Sequence, residues 1–338
     1  MTKISAKIVA DSKNQFNNRL TTFVLTFPRY ILAELNTHRM LSKNSASSRA
    51  IPFKKMVKSV YYNPFTPIAY MKDHSGMQGS EYFTGWKVSI IKFFWMLASK
   101  FAIISALILN KLGLTKQLVN RILEPFMWHT VILSGTEFEN FFSLRCSEYA
   151  DIHIQKLAYE MLEAYNASTP KQLKEGEWHI PFGDKFDKNL LYETLLKIEN
   201  QKNKSSFTAI QFTEKQYLEA KIKIAIARCA RVSYTVVGEE GKPDNYENDI
   251  KLFDRLATSG HYSPFEHVGR AMDDEEYAFK SSYNYDLDEP KNEVKFFVEQ
   301  NEVPYKGTWG WSGNFRGFIQ YRKTLANENR KDARVVQK

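Results

Sequence analysis

Thr37-His38-Arg39-Met40-Leu41-Ser42-Lys43-Asn44-Ser45-Ala46-Ser47-Ser48-Arg49 concentrates hydroxyls, an imidazole, an amide and two guanidiniums, with little that is large and apolar. It follows Phe23-Val24-Leu25-Thr26-Phe27, which reads as a strand, and the apolar Tyr30-Ile31-Leu32. A buried scaffold that delivers such a run is how a chain builds a cradle for phosphate. The plainer alternative is a polar, Ser-rich surface loop.

Outward from this stretch, composition sets bounds. The 338 residues suit one large domain or two ordinary ones, and 43% hydrophobic with 14% aromatic residues can bury a sizeable core. The net charge of +9 suits an anionic ligand such as a nucleotide, and also plain solubility. Charge is uneven: residues 87 to 121 hold cations and no acid, whereas 273 to 303 are acidic. Nucleic-acid binding is not expected, since it favours one continuous basic face. Cys146 and Cys229 form no Cys-x-x-Cys pair, so neither a disulfide framework nor a metal site is indicated, and a reducing cytoplasm fits. The N-terminus lacks the apolar core of a signal peptide. Val88 to Leu114 is apolar, but Lys92 and Lys100 interrupt it, which favours a buried or oligomer-interface helix over a membrane span.

Residues 6 to 33 read as strand, turn, strand, and Ile31 to Met40 can be helical. Residues 60 to 85 are loop-like. A helix over 86 to 112 is followed by one capped by Thr115 and stopped by Pro125, with Leu118, Val119, Ile122 and Leu123 on one face. Tyr149 to Tyr165 is amphipathic, with Ile154, Leu157, Ala158, Met161, Leu162 and Tyr165 as its stripe. Further helices are expected over Lys215 to Ala230, Ile250 to Thr258 and Phe315 to Leu325, the last after a Gly-rich turn at 309 to 314. Gly238 to Tyr246 reads as a turn, and the acidic segment as loop and strand.

Three polar clusters stand out: 37 to 49, 121 to 145 and 227 to 267. Arg145 stands in the apolar Phe141-Phe142-Ser143-Leu144 setting, where a lone arginine is commonly a structural ion pair. His261, Glu266 and His267 lack the helical spacing of zinc-protease ligands, and Pro264 breaks any helix between them. No nucleophile elbow is present.

Together the clusters resemble the flavin-dependent thymidylate synthases (ThyX). The family pattern Arg-His-Arg-x-x-Ser-x-Asn-Glu-x-Ser-x-Arg is matched at His38, Arg39, Ser42, Asn44, Ser47 and Arg49. A second element is echoed by Arg121-Ile122-Leu123-Glu124-Pro125, Asn140, Arg145 and the helix from Tyr149. A third is Ala230-Arg231-Val232-Ser233-Tyr234 with Gly260 to His267. In the family the last element precedes the first, so the resemblance is to a circularly permuted, phage-type variant, for which the location would be the host cytoplasm. It covers residues 15–50, 115–165 and 225–270. Residues 85–112 would be a helical insertion and 271–338 a variant tail of a single catalytic domain.

The resemblance implies an α+β fold, an antiparallel sheet packed with long helices, in a homotetramer with active sites between subunits. It implies reductive methylation of dUMP to dTMP, with FAD as cofactor and NADPH and methylenetetrahydrofolate as co-substrates. Ser47, Arg49 and Arg121 would bind the nucleotide, and Arg145 would stand at the uracil edge as the catalytic cation. His38, Arg39, Asn44, Asn140, Ser233, His261 and Ser263 would line the flavin site, in keeping with guanidinium and hydroxyl donors for phosphates and ring oxygens.

Thr37 and Ser45 depart from the pattern's Arg and Glu, and Thr136 and Ser134 stand where Arg and Asn are common. One expectation is replacement from the tail by Asn314, Arg316 or Arg322; the alternative for these is a solvated basic helix face. Another is altered chemistry: a different base such as dCMP, or hydroxymethyl transfer. A non-catalytic nucleotide-binding protein is the third reading.

Overall fold

The computed structural model describes all residues except 1, 46, 50, 76–78, 80, 184–185, 204–210, 233–244, 280–309, 326–327 and 329–338. Its centre is a five-stranded sheet in the order β3-β4-β2-β1-β5. β1 (Ser5–Lys13) and β2 (Arg19–Pro28) form an antiparallel hairpin. The Asn14 side chain closes its turn by accepting the Phe16 and Asn18 N–H groups at 3.0 and 2.9 Å. β4 (Trp128–Gly135) pairs antiparallel with β2, and β3 (Ser42–Ser45) with β4 at the edge. β5 (Lys171–Gln172) adds a short parallel pairing to β1.

Side chains alternate across the sheet, and both faces are covered. Phe23, Leu25, Phe27, Val131 and Leu133 pack against α5 (Glu139–Arg145) and α6 (Ile152–Ala167) through Phe141, Ile154, Leu157 and Met161, all buried. Asp151 caps α6 by accepting the His153 N–H at 2.9 Å. On the other face Ile132 meets Cys229 and Val232 at the end of α8 (Glu214–Arg231). α8 starts from a capping box between Thr213 and Gln216 and packs on α9 (Tyr246–Ser259). α7 (Lys188–Asn203) joins them through Leu191.

α1 (Leu32–Asn36) is a single short helix, so the helical expectation for Ile31 to Met40 holds for its first half only. α2 (Phe53–Tyr62), α3 (Trp86–Lys111) and α4 (Lys116–Leu123) form a separate helical cluster around Met56, Ile103, Val119 and Leu123. Thr115 caps α4 through the Gln117 N–H. Leu118, expected on the inner face of α4, is 52% exposed. α3 has the length and apolarity to cross a membrane, yet only 17% of the residues in its most apolar stretch are buried within the protein, which corrects the expectation of a helix buried within the fold.

The tail also departs from expectation. Phe315 to Leu325 is not an α-helix: β8 (Trp311–Ser312) and β9 (Phe315–Arg316) form a hairpin, and β10 (Phe318–Gln320) leads into a single 3-10 turn over Tyr321–Thr324. Gly317, at φ 73°, sets the bend between β9 and β10, a conformation that suits glycine and breaks any helix. β10 pairs with β7 (Gly269–Ala271), which also pairs with β6 (Trp178–His179). The tail is thus part of the second sheet. α10 (Asp274–Phe279) occupies the start of the acidic segment, where loop and strand were expected. The architecture is α+β with predominantly antiparallel sheets.

Candidate active site

α9 ends where Gly260 adopts a left-handed conformation (φ 74°), with the His261 N–H bonded to the Leu256 carbonyl at 3.1 Å. The chain then enters a 3-10 turn, Ser263–His267, anchored by buried Phe265. His267 fixes the turn to the sheet through a buried chain of hydrogen bonds. Ser12 Oγ meets His179 Nδ1 at 2.9 Å, and His179 Nε2 meets Thr22 Oγ1 at 2.8 Å. Thr22 Oγ1 then meets Ser134 Oγ at 2.7 Å, and Ser134 Oγ meets His267 Nδ1 at 2.9 Å. Burial pushes both His179 and His267 down to about 3, so both rings are neutral.

This anchoring presents Ser263 and His261 at the surface, opposite β3. Ser263 Oγ donates to Asn44 Oδ1 at 3.0 Å, and Asn44 Nδ2 donates to the Cys229 carbonyl at 2.9 Å. One amide therefore ties β3 to both α8 and the turn. Between them opens a cleft of about 850 Å³. Its walls include Asn44, Ser45 and Ser47 from the Ser-rich stretch and His261 and Ser263 from the turn. Arg231, Asn248, Lys251 and Arg255 complete the polar lining. No carboxylate lines it among the described residues. Arg231 pairs with buried Asp249 at 2.9 Å and Lys251 with Glu247 at 2.6 Å. Arg255 is exposed and has no carboxylate partner among the described residues. Three cations, three hydroxyls, two amides and an imidazole suit an anion.

Asn248, Lys251 and Arg255 escaped the sequence-based candidate set. Their spacing, with Leu252, is i, i+3, i+4, i+7, the period of one helix face, and it was visible in the sequence. Arg231 was visible in its motif but carried no assigned role.

Other candidates lie elsewhere. Arg145 donates from Nε to His38 Nε2 at 2.9 Å and lies 3.4 Å from the Thr37 hydroxyl and 3.7 Å from the Glu34 carboxylate. Burial, then Arg145 and Lys43, pushes His38 down to about 4, leaving it a neutral acceptor. Burial lowers Lys43 to about 8. Neither His38 nor Arg145 lines the cleft of its own chain. Arg39, Arg49, Arg121 and Asn140 are exposed. Arg121 lies on α4, next to Asn120, whose amide donates to the Ser48 and Ile51 carbonyls at 2.7 and 3.0 Å. Ser233 lies outside the described residues.

The tail reaches β3. Asn314 Oδ1 accepts from Ser42 Oγ and from Gln320 Nε2, both at 2.9 Å, and Asn314 Nδ2 donates to the Met40 carbonyl at 3.1 Å. The Arg316 backbone N–H donates to Thr136 Oγ1 at 3.0 Å, and Arg316 Nε is buried without a hydrogen-bond partner among the described residues. Arg322 pairs with Glu266 at 2.5 Å. None of the three lines the cleft. Ser134 is fully buried in the hydrogen-bonded chain and turned away from solvent.

No protein-family model matches the sequence, and no curated protein matches it. Among solved structures, the chain is similar to a UMP/dUMP methylase, PolB from Streptomyces cacaoi. The structure bound with 5-Br UMP gives a TM-score of 0.39 at 15% identity, covering 49% of this chain and 89% of that one. The structure bound with 5-Br dUMP gives 0.40 at 13%, covering 49% and 90%.

Proposed function

We propose that the protein is a flavin-dependent thymidylate synthase of permuted type, acting on dUMP, and that its cleft holds the phosphate-bearing ligands. The observation that carries this reading is the Asn44–Ser263 hydrogen bond. It brings two separately recognised sequence elements to one cleft whose lining is cationic and hydroxylic. That donor set fits FAD: Arg231, Lys251 and Arg255 for a pyrophosphate, Ser45 and Asn44 for ribityl and ring oxygens, with Ser47 kept for the nucleotide. When bound, FAD would supply the redox chemistry of the methylation, with NADPH as reductant and methylenetetrahydrofolate as carbon donor.

The chain's own residues orient and polarise. The Arg145 guanidinium, held by His38 and Thr37, is a fixed cation suited to the uracil edge, where it would favour ionisation at N3. Because Arg145 stands outside the cleft of its own chain, the reading calls for a homotetramer in which a neighbouring copy presents it. Arg49 and Arg121, both exposed, would reach the nucleotide phosphate in the same assembly.

A second reading is favoured by Ser45. It lines the cleft where the family pattern has Glu, so no carboxylate faces the ligand there. That change suits a related C5-modifying enzyme acting on dCMP, or one that transfers hydroxymethyl. The test is colour and product. The purified chain should be yellow, its flavin absorbance should bleach with NADPH, and mass analysis after incubation with dUMP should show the methylated nucleotide. Product from dCMP instead selects the second reading. A colourless chain that takes up no FAD overturns both.

A further inference from the structure

We propose that α3 docks flat on an anionic lipid bilayer. The helix has two apolar faces. The inner one packs into the helical cluster through buried Ile103 and Ala106, with the Trp95 indole N–H bonded to the Phe65 carbonyl at 2.9 Å. The outer one carries Ile90, Phe94, Phe101, Ile104, Ile108 and Leu112, which are 45 to 77% exposed. With half-buried Leu97 they recur every three or four residues, so they form one stripe along the whole helix. An exposed apolar surface of this extent marks an interaction site.

Helical geometry changes the meaning of the two lysines that break the run in sequence. Lys92 and Lys100 do not fall on the stripe. Lys100 turns towards α2, with its ammonium 4.1 Å from the centre of the Tyr61 ring. The stripe is therefore free of charge while its surroundings are not. The three helices of the cluster hold Lys54, Lys55, Lys58, Lys87, Lys92, Lys100, Lys111, Lys116 and Arg121, and no Asp or Glu. Trp86 and Tyr62, 70% and 78% exposed, add rings suited to the headgroup zone. An uncharged apolar stripe on a cluster whose three helices carry cations and no acid matches a surface that is apolar beneath and anionic on top.

Two other occupants fit less well. A second copy paired through the same face by a two-fold axis would set lysine against lysine with no acid between them. A transmembrane span would strip Ile103, Ala106 and Trp95 from their packing. Docking in the plane of the membrane keeps the inner face packed and uses the outer one.

The test is flotation of the full chain with vesicles of phosphatidylcholine, with and without phosphatidylglycerol. Binding should require the anionic lipid and weaken with salt. The Phe94→Ser, Phe101→Ser, Ile108→Ser triple variant should lose binding while keeping its melting temperature, since all three positions are exposed. Lys87→Ala with Lys111→Ala should weaken binding on the order of tenfold. Failure of the unmodified chain to float with anionic vesicles overturns the proposal, as does equal flotation with neutral ones. An oligomer that the serine variant dissociates, without lipid binding by either protein, assigns the face to a second copy and also overturns it.

Discussion

Ser263 Oγ lies 3.0 Å from Asn44 Oδ1, across 219 residues of chain. The same amide donates to the Cys229 carbonyl. Asn44→Ala removes both bonds at once. It should cost about 1 to 3 kcal/mol of stability, read as a shift in denaturant midpoint. Ser263→Ala removes one partner and should cost less, about 1 kcal/mol. Both should reduce flavin retention if the cleft is the flavin site, because β3 loses its tie to the opposite wall.

Arg255→Ala should separate binding from folding. The side chain is exposed and pairs with no carboxylate among the described residues, so the melting temperature should not move. Affinity for an anionic nucleotide or for FAD should fall by about tenfold, the worth of one charged hydrogen bond. Lys251→Ala should do less, since Glu247 already partly neutralises that ammonium at 2.6 Å. Equal effects of the two substitutions in a calorimetric titration would contradict the assignment of Arg255.

Much of the scaffold was legible in the sequence because its periods are clean. The β1–β2 hairpin, α3, α6, α8 and the later part of α9 follow from alternation, apolar runs and helical stripes, and α4 from its Thr115 cap, whereas the first turn of α9 falls before the expected Ile250 start. β4 was not, although it is the partner of both β2 and β3. Val131, Ile132 and Leu133 are all buried, so the strand shows a short continuous apolar run and no alternation. Phe315 and Phe318 share a helical spacing, which concealed that a glycine bend between them places both in the core as strand residues. At the site, the polar face of α9 was hidden by its neighbours: Ile250 and Phe253 form the buried stripe that draws attention first.

The fold should be acid-labile. His179 and His267 are fully buried and neutral, pushed from 6.5 to about 3, and His267 Nε2 has no hydrogen-bond partner among the described residues. Between those values the unfolded chain binds protons that the folded chain does not. Stability is therefore intact above about pH 6.5 and is lost as pH falls towards 3, by about 1.4 kcal/mol per pH unit for each ring. Urea melts at stepped pH should show this slope. His267→Gln, with His179 retained, should remove about half of it.

Arg145 should add to the lowering of the His38 pKa. Burial is the largest cause of that ring's low value, followed by the charges of Arg145 and Lys43. Arg145→Gln removes one charge and leaves the burial. The His38 pKa should rise from about 4 but stay below 6.5, with Lys43→Met producing a smaller rise of the same sign. NMR titration of the imidazole resonances measures both directly. A fall on removing Arg145 would mean that the guanidinium does not face His38.

Gly317 and Gly113 offer a contrast between backbone and packing. Both have positive φ, 73° and 87°. A Cβ at Gly113, just past α3, meets nothing within 4 Å, whereas at Gly317 it would run into the side chains of Asn14 and Asn18. Asn14 Nδ2 also donates to the Gly317 carbonyl at 2.7 Å, tying the tail to the first hairpin. Gly113→Ala should cost only the left-handed backbone penalty, about 1 kcal/mol. Gly317→Ala adds the displacement of two buried amides and should cost about 2 to 4 kcal/mol. Because Asn14 also closes the β1–β2 turn, the loss should spread: amide exchange should accelerate at Phe16 and Asn18 as well as in β10. If exchange changes only within 310 to 325, the tail is an appendage on the hairpin and not a structural partner of it.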